Sequence, residues 1–483
     1  MPTKPPAKKQ HKAAAQLRPK PATTPPAQNS EGLPDGWRKV SLGEVANYIN
    51  GKAFKPTEWS REGLPIIRIQ NLNRNKSEFN YCNFKVDEKY FVNSGDLLFA
   101  WSGTPDTSFG AHIWKGPKAV LNQHIFRIVV NEQIISKSYY LHALNHKVKE
   151  FVSKAHGTAG LAHITKKKFE ESEIYLPPLP TQHAIVSKIE ELLSELDKGK
   201  QQLETAQQQL RVYRQAVLKW AFEGKLTGEW RNKNKNIKSS IEYLNEVSKI
   251  RKDRYLLAKQ NKEKKIEANY DFEFEQSGLI KSWAKGKLDK LIYIAGRIGW
   301  RGLTKDEYKN DGPMFLSVHS LNYGKYVEFK DAYHISKERY LESPEIILKE
   351  QDILLCKDGA GIGKIGIVHN LQSEATVNSS LLVIRALEIF IPEFLYYLFS
   401  GPALQTIVRE RITGSATPHL FQNDIRKFEL LIPPLEEQKK IVQEIESRLS
   451  VCDKIEETID QSLAQAETLR QSILKKAFEG KLI

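Results

Sequence analysis

Few residue patterns in this chain have the types and spacing of a reaction centre. Gly361-Ile-Gly363-Lys364-Ile-Gly366 matches the glycine spacing of a dinucleotide-binding turn and follows an expected strand over Asp352–Cys356. That chemistry requires a helix opening at the last glycine, so that its N-terminus faces pyrophosphate. Here Ile367-Val368-His369 reads as continuing strand. A phosphate loop fails as well, because Asp358 stands where the first glycine is needed and Ile365 where Ser or Thr must follow the lysine. An amino-methyltransferase would need Asn or Asp before Pro-Pro and an aromatic after it, but Pro177-Pro178 and Pro433-Pro434 are both followed by leucine. Glu307-Tyr308-Lys309 and Glu437-Gln438-Lys439 supply only the Glu-x-Lys fragment of a metal nuclease. Cys82, Cys356 and Cys452 lie far apart, which argues against a zinc site or a disulfide framework. No catalytic residue and no metal ligand is assigned.

What remains is chemistry suited to nucleic acid. A glycine-rich loop carrying one lysine permits close approach to a phosphate backbone. Aromatic and polar residues interleave in Trp101-Ser102-Gly103-Thr104, His112-Ile113-Trp114-Lys115, His319-Ser320-Leu321-Asn322 and Lys357-Asp358-Gly359. Asn, Gln, Lys and Arg pair with base edges, while Ser, Thr and backbone amides take phosphates. By residue type and loop position, the candidates for DNA contact are Arg68, Gln70, Ser102, Gly103, His112, Lys115, Lys357, Gly359, Gly363 and Lys364.

The elements that must hold these loops repeat. Residues 177–226 align without a gap on 433–482, at an offset of 256, with 23 of 50 positions identical. More faintly, the same offset places Asp96-Leu-Leu-Phe on Asp352-Ile-Leu-Leu, Gly103 on Gly359, Asn122 on Asn378 and His163 on His419. The chain therefore reads as two copies of a globular region followed by a helix, with the helices preserved and the globular parts diverged. Pro-Pro ends an extended segment, and good helix formers follow for roughly forty residues, some 57 Å of helix. In the first copy Ile189, Leu196, Leu203, Leu210 and Val217 recur every seven residues. Leu192, Gly199, Ala206, Tyr213 and Trp220 follow each by three. The second copy steps by three or four through Ile441, Ile445, Leu449, Cys452, Ile455, Ile459, Leu463, Ala466, Leu469 and Ile473. Strands are expected over Pro65–Gln70, Asp96–Ala100, His124–Val130, Lys364–Val368 and Ser380–Arg385, and helices over Ser138–Ala155 and Pro392–Arg409.

The expected organisation is a disordered basic arm (1–30), a first globular domain (31–176), a central helical region (177–226) and a basic linker (227–270). A second globular domain (271–432) and a terminal helical region (433–483) follow. Of the net charge of +15, the globular parts carry only +5 (31–176) and −1 (271–432), while the arm carries +6 and the linker +6. That excess suits a polyanion, or serves solubility alone. No apolar run is long enough to cross a bilayer, and the start lacks a signal peptide's apolar stretch, which points to the cytoplasm.

These residues resemble the specificity subunits of type I restriction-modification enzymes. The resemblance rests on the Pro-Pro-Leu-x-Glu-Gln helix entry, met in full at Pro433–Gln438, and on Arg214-Gln-Ala-Val-Leu218 leading to Gly224-Lys-Leu226-Thr227-Gly-Glu-Trp230-Arg231. It rests also on Arg470-Gln-Ser-Ile-Leu474 leading to Gly480-Lys-Leu482, on Leu33-Pro-Asp-Gly-Trp37 and on Gly414-Ser-Ala-Thr-Pro-His419, and it covers about residues 33–483. Three features depart from the pattern. The first helix opens Pro180-Thr181-Gln182 where the second has Glu436-Glu437-Gln438, the Thr-x-x-Trp-Arg extension follows only the first helix, and the basic arm is extra.

The resemblance implies an α+β architecture of two mixed α/β target-recognition domains, each followed by a long helix. The two helices would pack as an antiparallel coiled-coil spacer under pseudo-two-fold symmetry. It implies a non-catalytic subunit whose domains each read one half of a bipartite target in double-stranded DNA. Partners would be two methyltransferase subunits using S-adenosylmethionine and two motor-endonuclease subunits using ATP and Mg, with no cofactor on this chain and no membrane. Two other readings stay open: a self-contained DNA-modifying enzyme with an unrecognised active site, and a coiled-coil scaffold without base reading.

Overall fold

The computed structural model describes residues 34–73, 78–103, 109–154, 156–158, 161–261, 269–297, 303–413 and 419–483. The expected disordered arm, part of the linker and the segment 414–418 lie outside the described residues. Two compact units form. The first comprises the chain to Leu203 together with Asp460–Ile483, and the second comprises Glu204–Ile459. Each unit is thus one globular part plus a stretch from each of the two long helices, Leu179–Phe222 and Leu435–Phe478.

In the first unit a four-stranded antiparallel sheet runs in the order Ala46–Asn50, Ile125–Val130, Leu97–Ala100, Gly110–Ile113. A second sheet orders Asn80–Cys82, Leu64–Ile67, Ala119–Leu121 and Phe91–Val92, with one parallel pair between Leu64–Ile67 and Ala119–Leu121. The second unit repeats this plan. Its main sheet orders Tyr293–Ala295, Leu381–Arg385, Ile353–Cys356 and Ile365–Ile367, and a second sheet pairs Lys309–Leu316 in parallel with Ala375–Val377. The Val/Ile/Leu runs that build the central strands are buried along their length, as strands covered on both faces require.

The helices are anchored identically in both units. Gln182 accepts a hydrogen bond from the Ser136 amide (2.7 Å) and donates to the carbonyls of Ile134 (2.9 Å) and Pro177 (2.8 Å). Gln438 accepts from the Ile391 amide and donates to the carbonyls of Ile389 and Pro433, each at 3.0 Å. One buried amide side chain thus ties each helix start to the strand before it and to a loop of the globular part. At the other ends, Gly224 and Gly480 both hold φ +71, the left-handed conformation that closes a helix. A Cβ there would strike Ile280 in one case and Pro34 in the other, so glycine is required twice over.

Within the first unit Ile185, Ile189, Ala477 and Phe478 join the core of the globular part, and Arg470 pairs with Asp197 at 3.3 Å. In the second, Val217, Leu218, Ala221, Ile441 and Ile445 do the same, and Arg214 reaches Asp453 (2.7 Å) and Glu456 (2.8 Å). The start of one helix and the end of the other share each core, so the two stretches run antiparallel. Several expectations are corrected. Tyr213 and Trp220 are exposed, as are Ile455 and Leu469, so the heptad stripe does not stay buried along either helix. Leu196 and Leu203 are half-buried, while Leu210, Ile459 and Ile473 are buried. The expected strand to Gln70 stops at Ile67, because Asn71 caps Arg68 (Asn71 Oδ1 to the Arg68 amide, 3.0 Å) and Ile69–Asn73 turns helical. Pro392–Arg409 is two helices, Pro392–Ser400 and Pro402–Thr413, broken where Pro402 cannot continue the first. Ser138–Ala155 likewise divides at Lys147, into Lys137–His146 and Val148–Lys154.

Candidate nucleic-acid interface

At the carboxyl end of the central strand, each unit builds the same junction. After Ala100, the Trp101 amide donates to the His124 carbonyl (3.1 Å), and the Trp101 carbonyl accepts from the Ile164 amide (3.2 Å). After Cys356, the Lys357 amide donates to the Ser380 carbonyl and its carbonyl accepts from the Leu420 amide, both at 2.9 Å. The next residue then bridges a histidine strand, Ser102 opposite His163 and Asp358 opposite His419. Gly103 and Gly359 follow, both at positive φ. Every pair is separated by 256 positions.

The side chains displayed on this shared backbone differ. In the second unit Lys357 pairs with Asp358 (3.1 Å), the other oxygen of Asp358 bonds Nδ1 of His419, and His419 packs on Phe421 with ring centres 4.5 Å apart. In the first unit Trp101 stacks on Phe126, meets His124 edge-on at 5.0 Å and donates from its indole to Asn50 (3.2 Å). His124 holds φ +72, unusual for a residue with a side chain. Asn378 Oδ1 accepts the Ser380 amide (3.1 Å), whereas Asn122 Oδ1 and His124 Nδ1 are buried with no hydrogen-bond partner among the described residues. Burial and the nearby His163 hold the His124 ring below the usual histidine range.

The sequence candidates fall in several places. Ser102, Gly103, Lys357 and Gly359 belong to the junctions. Gly363 lies in the turn beyond Gly359, but a Cβ on it would come 2.9 Å from Val408, so this glycine answers to internal packing. Lys364 donates to Asn322 Oδ1 at 2.5 Å. A strand, Ile365–Ile367, follows the glycines, so no helix N-terminus is available for pyrophosphate. Arg68 lies over the Trp59 ring (4.9 Å) and donates to Asn80 Oδ1 (3.0 Å), while Gln70 is exposed on the short helix beside it. His112 sits on the edge strand of the four-stranded sheet, its ring driven below the normal range by burial, and its Nε2 has no hydrogen-bond partner among the described residues. Lys115 is exposed. Trp101, His124 and Asp358 had no place among the sequence candidates, although the 256-residue offset applied to Ser102 and Lys357 finds Asp358 and Trp101.

A further cluster joins linker, helix and sheet in the second unit. Glu437, 1% exposed, accepts hydrogen bonds from Thr227 Oγ1 (2.8 Å), Arg231 Nε (2.9 Å) and Trp283 Nε1 (2.7 Å). The carboxylate is therefore fully engaged rather than poised for metal or proton chemistry. Among the described residues, no group of three or more His, Cys, Asp or Glu could hold a metal ion.

Comparison with known proteins accords with this plan. A family model, the type I restriction modification DNA specificity domain, matches residues 34–205 and again 237–465. The type I restriction enzyme EcoBI specificity subunit of Escherichia coli is 29% identical over 463 residues, covering 94% of this chain and 89% of that protein. The EcoKI specificity subunit of Escherichia coli K12 is 25% identical, with 93% and 90% covered. Among solved structures, one concerning complex assembly and conformational transition of the type I R-M system matches with a TM-score of 0.63 at 17% identity, over 93% of this chain and 99% of that one. The HsdS subunit from Thermoanaerobacter tengcongensis matches with a TM-score of 0.55 at 17% identity, over 94% and 99%.

Proposed function

Because this chain belongs to the family of type I restriction-modification DNA specificity subunits, and so directs catalysis without performing it, we propose that each globular part reads one half of a bipartite target in double-stranded DNA. The observation that supports this is the duplicated junction, one backbone frame displaying different side chains in the two units. The two half-targets would then differ in sequence while being met in related geometry, and the stiffness of the helices would fix the gap between them. The recognition domains would extend over 31–176 and 271–432, with DNA contacts drawn from Arg68, Gln70, Ser102, Gly103, His112, Lys115, Lys357, Gly359, Gly363 and Lys364.

The chain assembles with restriction-modification partners and DNA, as its family does. Two methyltransferase subunits would dock on it, extrude one adenine per half-target and methylate it with S-adenosylmethionine. Two motor-endonuclease subunits would use ATP and Mg to cleave unmodified DNA in the cytoplasm. Base extrusion requires the catalyst to be held rigidly against a fixed register, which suits a separate reading subunit. Weak net charge on the globular parts implies that the partners supply much of the phosphate neutralisation. The chain alone should therefore bind DNA weakly, with a shallow salt dependence. The test is exchange of residues 31–176 for those of a relative in the assembled methyltransferase. One half of the methylated target should change while the other is kept. Retention of both halves would refute the assignment.

A further inference from the structure

We infer that target choice is written at the two duplicated junctions, by residues 101, 102 and 124 in the first unit and 357, 358 and 380 in the second. In this assignment Lys357 addresses a hydrogen-bond-accepting base edge and Trp101 an apolar one. The assignment rests on the specificity role proposed above and names where in each unit that role resides.

What the two copies have kept at the junction itself is polar or small. Asn122 and Asn378, His163 and His419, and Gly103 and Gly359 are polar or small, and none is a buried apolar side chain. The strands beside them keep buried apolar positions too, Leu98 with Leu354, Ala119 with Ala375 and Ile128 with Ile384, so both units hold the junction on one packed scaffold. What they share is a backbone arrangement, through the same amide–carbonyl bonds at 101 and 357 and the same bridge to a histidine. Residues carried on that arrangement have diverged in charge and size: Trp101 against Lys357, Ser102 against Asp358, His124 against Ser380. A constant frame with variable contents is what a reader of two unlike half-targets needs.

The contents also fit contact with bases. Lys357 is oriented by Asp358, which in turn holds His419, so its ammonium is aimed by an ordered pair and does not range freely as a surface lysine does. A lysine fixed in this way matches the O6 and N7 acceptors of guanine in the major groove, and an indole matches the methyl of thymine. In the first unit Asn122 Oδ1 and His124 Nδ1 have no hydrogen-bond partner among the described residues, and they lie beside the positive-φ backbone of His124. Their counterpart Asn378 is satisfied internally. Unsatisfied buried polar atoms call for an explanation, and a site that completes itself on its ligand provides one.

The experiment uses the full complex, this chain co-expressed with its methyltransferase subunits, and reads methylated positions in a randomised DNA library by sequencing. Lys357→Gln should change base preference by about tenfold or more at one or two positions of one half-target and leave the other half untouched. Trp101→Lys should do the same in the opposite half. His124→Ser, the residue its counterpart carries, replaces Trp101→Lys should that variant fail to assemble. Variants that assemble and keep the wild-type preference in both halves overturn the assignment. A uniform fall in methylation across all sequences also overturns it, because that is the signature of a phosphate contact. A wild-type complex that methylates without any split sequence preference removes the specificity reading itself, a different result from either.

Discussion

Removing the guanidinium of Arg231 should loosen the second unit far more than any change at Thr181 disturbs the first. Glu437 is buried, and Arg231 is the charged partner among the three side chains that hydrogen-bond it. Arg231 further donates to the Gly224 carbonyl (2.8 Å) and lies over the Trp283 ring (5.4 Å), so one side chain joins helix end, linker and sheet. In Arg231→Ala the buried carboxylate keeps Thr227 and Trp283 but loses its counter-charge, which reaches it from a side chain 23% exposed. Breaking a buried pair in this way costs about 3–5 kcal/mol, two to three and a half orders of magnitude in the folding constant. Removing both partners should cost less than the sum of the single changes, with a coupling of about 1–3 kcal/mol for Arg231→Ala with Glu437→Ala. At the matching place in the first unit stands Thr181, an uncharged residue, and Thr181→Ala should remain within about 0.5 kcal/mol of wild type. Denaturant unfolding gives the energies, and hydrogen exchange over 227–233 and 435–445 locates the loss. An Arg231→Ala protein within 1 kcal/mol of wild type, or strictly additive single changes, would refute the reasoning.

Further outcomes follow from the same contacts. Gln182→Ala and Gln438→Ala each leave two carbonyls and an amide to find new partners, so each should destabilise its own unit by about 2 kcal/mol or more. Matching losses in thermal melts would confirm the duplication, and a loss in one copy alone would contradict it. Gly363→Ala meets both positive φ and Val408, and should be destabilising by about 1 kcal/mol more than Gly359→Ala, whose Cβ would face open space. Calorimetry that ranks them in reverse would contradict this. Burial lowers the pKa of His112, His124, His142 and His146, all in the first unit. A histidine depressed in the folded state stabilises fully above its unfolded value near 6.5, and the stabilisation is lost as pH falls through the folded value. Hydrogen exchange in the first unit should therefore accelerate as pH drops below about 6.5, after correction for the intrinsic rate. An unchanged corrected rate down to pH 5 would contradict it.

Much of the fold was legible because repetition is a signal that survives divergence. The offset of 256 residues identified both helices, and the faint matches at Gly103, Asn122 and His163 turned out to mark the junction itself. The heptad reading was less faithful, for a geometric reason. An ideal helix drifts about 20° per heptad against a seven-residue stripe. From Leu192 to Trp220 that accumulates to about 80°, close to one residue position, so Tyr213 and Trp220 rotate out, while Val217, Leu218 and Ala221 are held in by the core of the second unit's globular part. The turn at Arg68–Asn71 was missed because a single side-chain acceptor outweighs strand propensity there, and propensity alone does not register it. Trp101, His124 and Asp358 were missed because a residue's place in a junction depends on three segments that are distant in sequence. Only the alignment of one copy on the other brings them together.

Glu437 shows the same limit from the opposite side. In sequence, Glu437 against Thr181 and the Thr227–Arg231 extension looked like two unrelated departures from a pattern. In the structure they are one, since the carboxylate is buried only where Thr227, Arg231 and Trp283 surround it. A buried charge cannot be inherited by a repeat without its partners, because the uncompensated ion would cost more than the contact returns. The duplicated helices could therefore keep their glutamine anchors in common, since each finds a backbone amide and two carbonyls in its own unit, while the glutamate had to be kept or lost together with its arginine. Neutral side chains that bond backbone can be copied with the fold, whereas ion pairs must be copied as pairs. The chain holds both outcomes: Arg470–Asp197 and Arg214–Asp453 are one ion pair copied whole at the 256-residue offset, whereas Glu437–Arg231 and Lys357–Asp358 have no counterpart at the matching positions of the first unit.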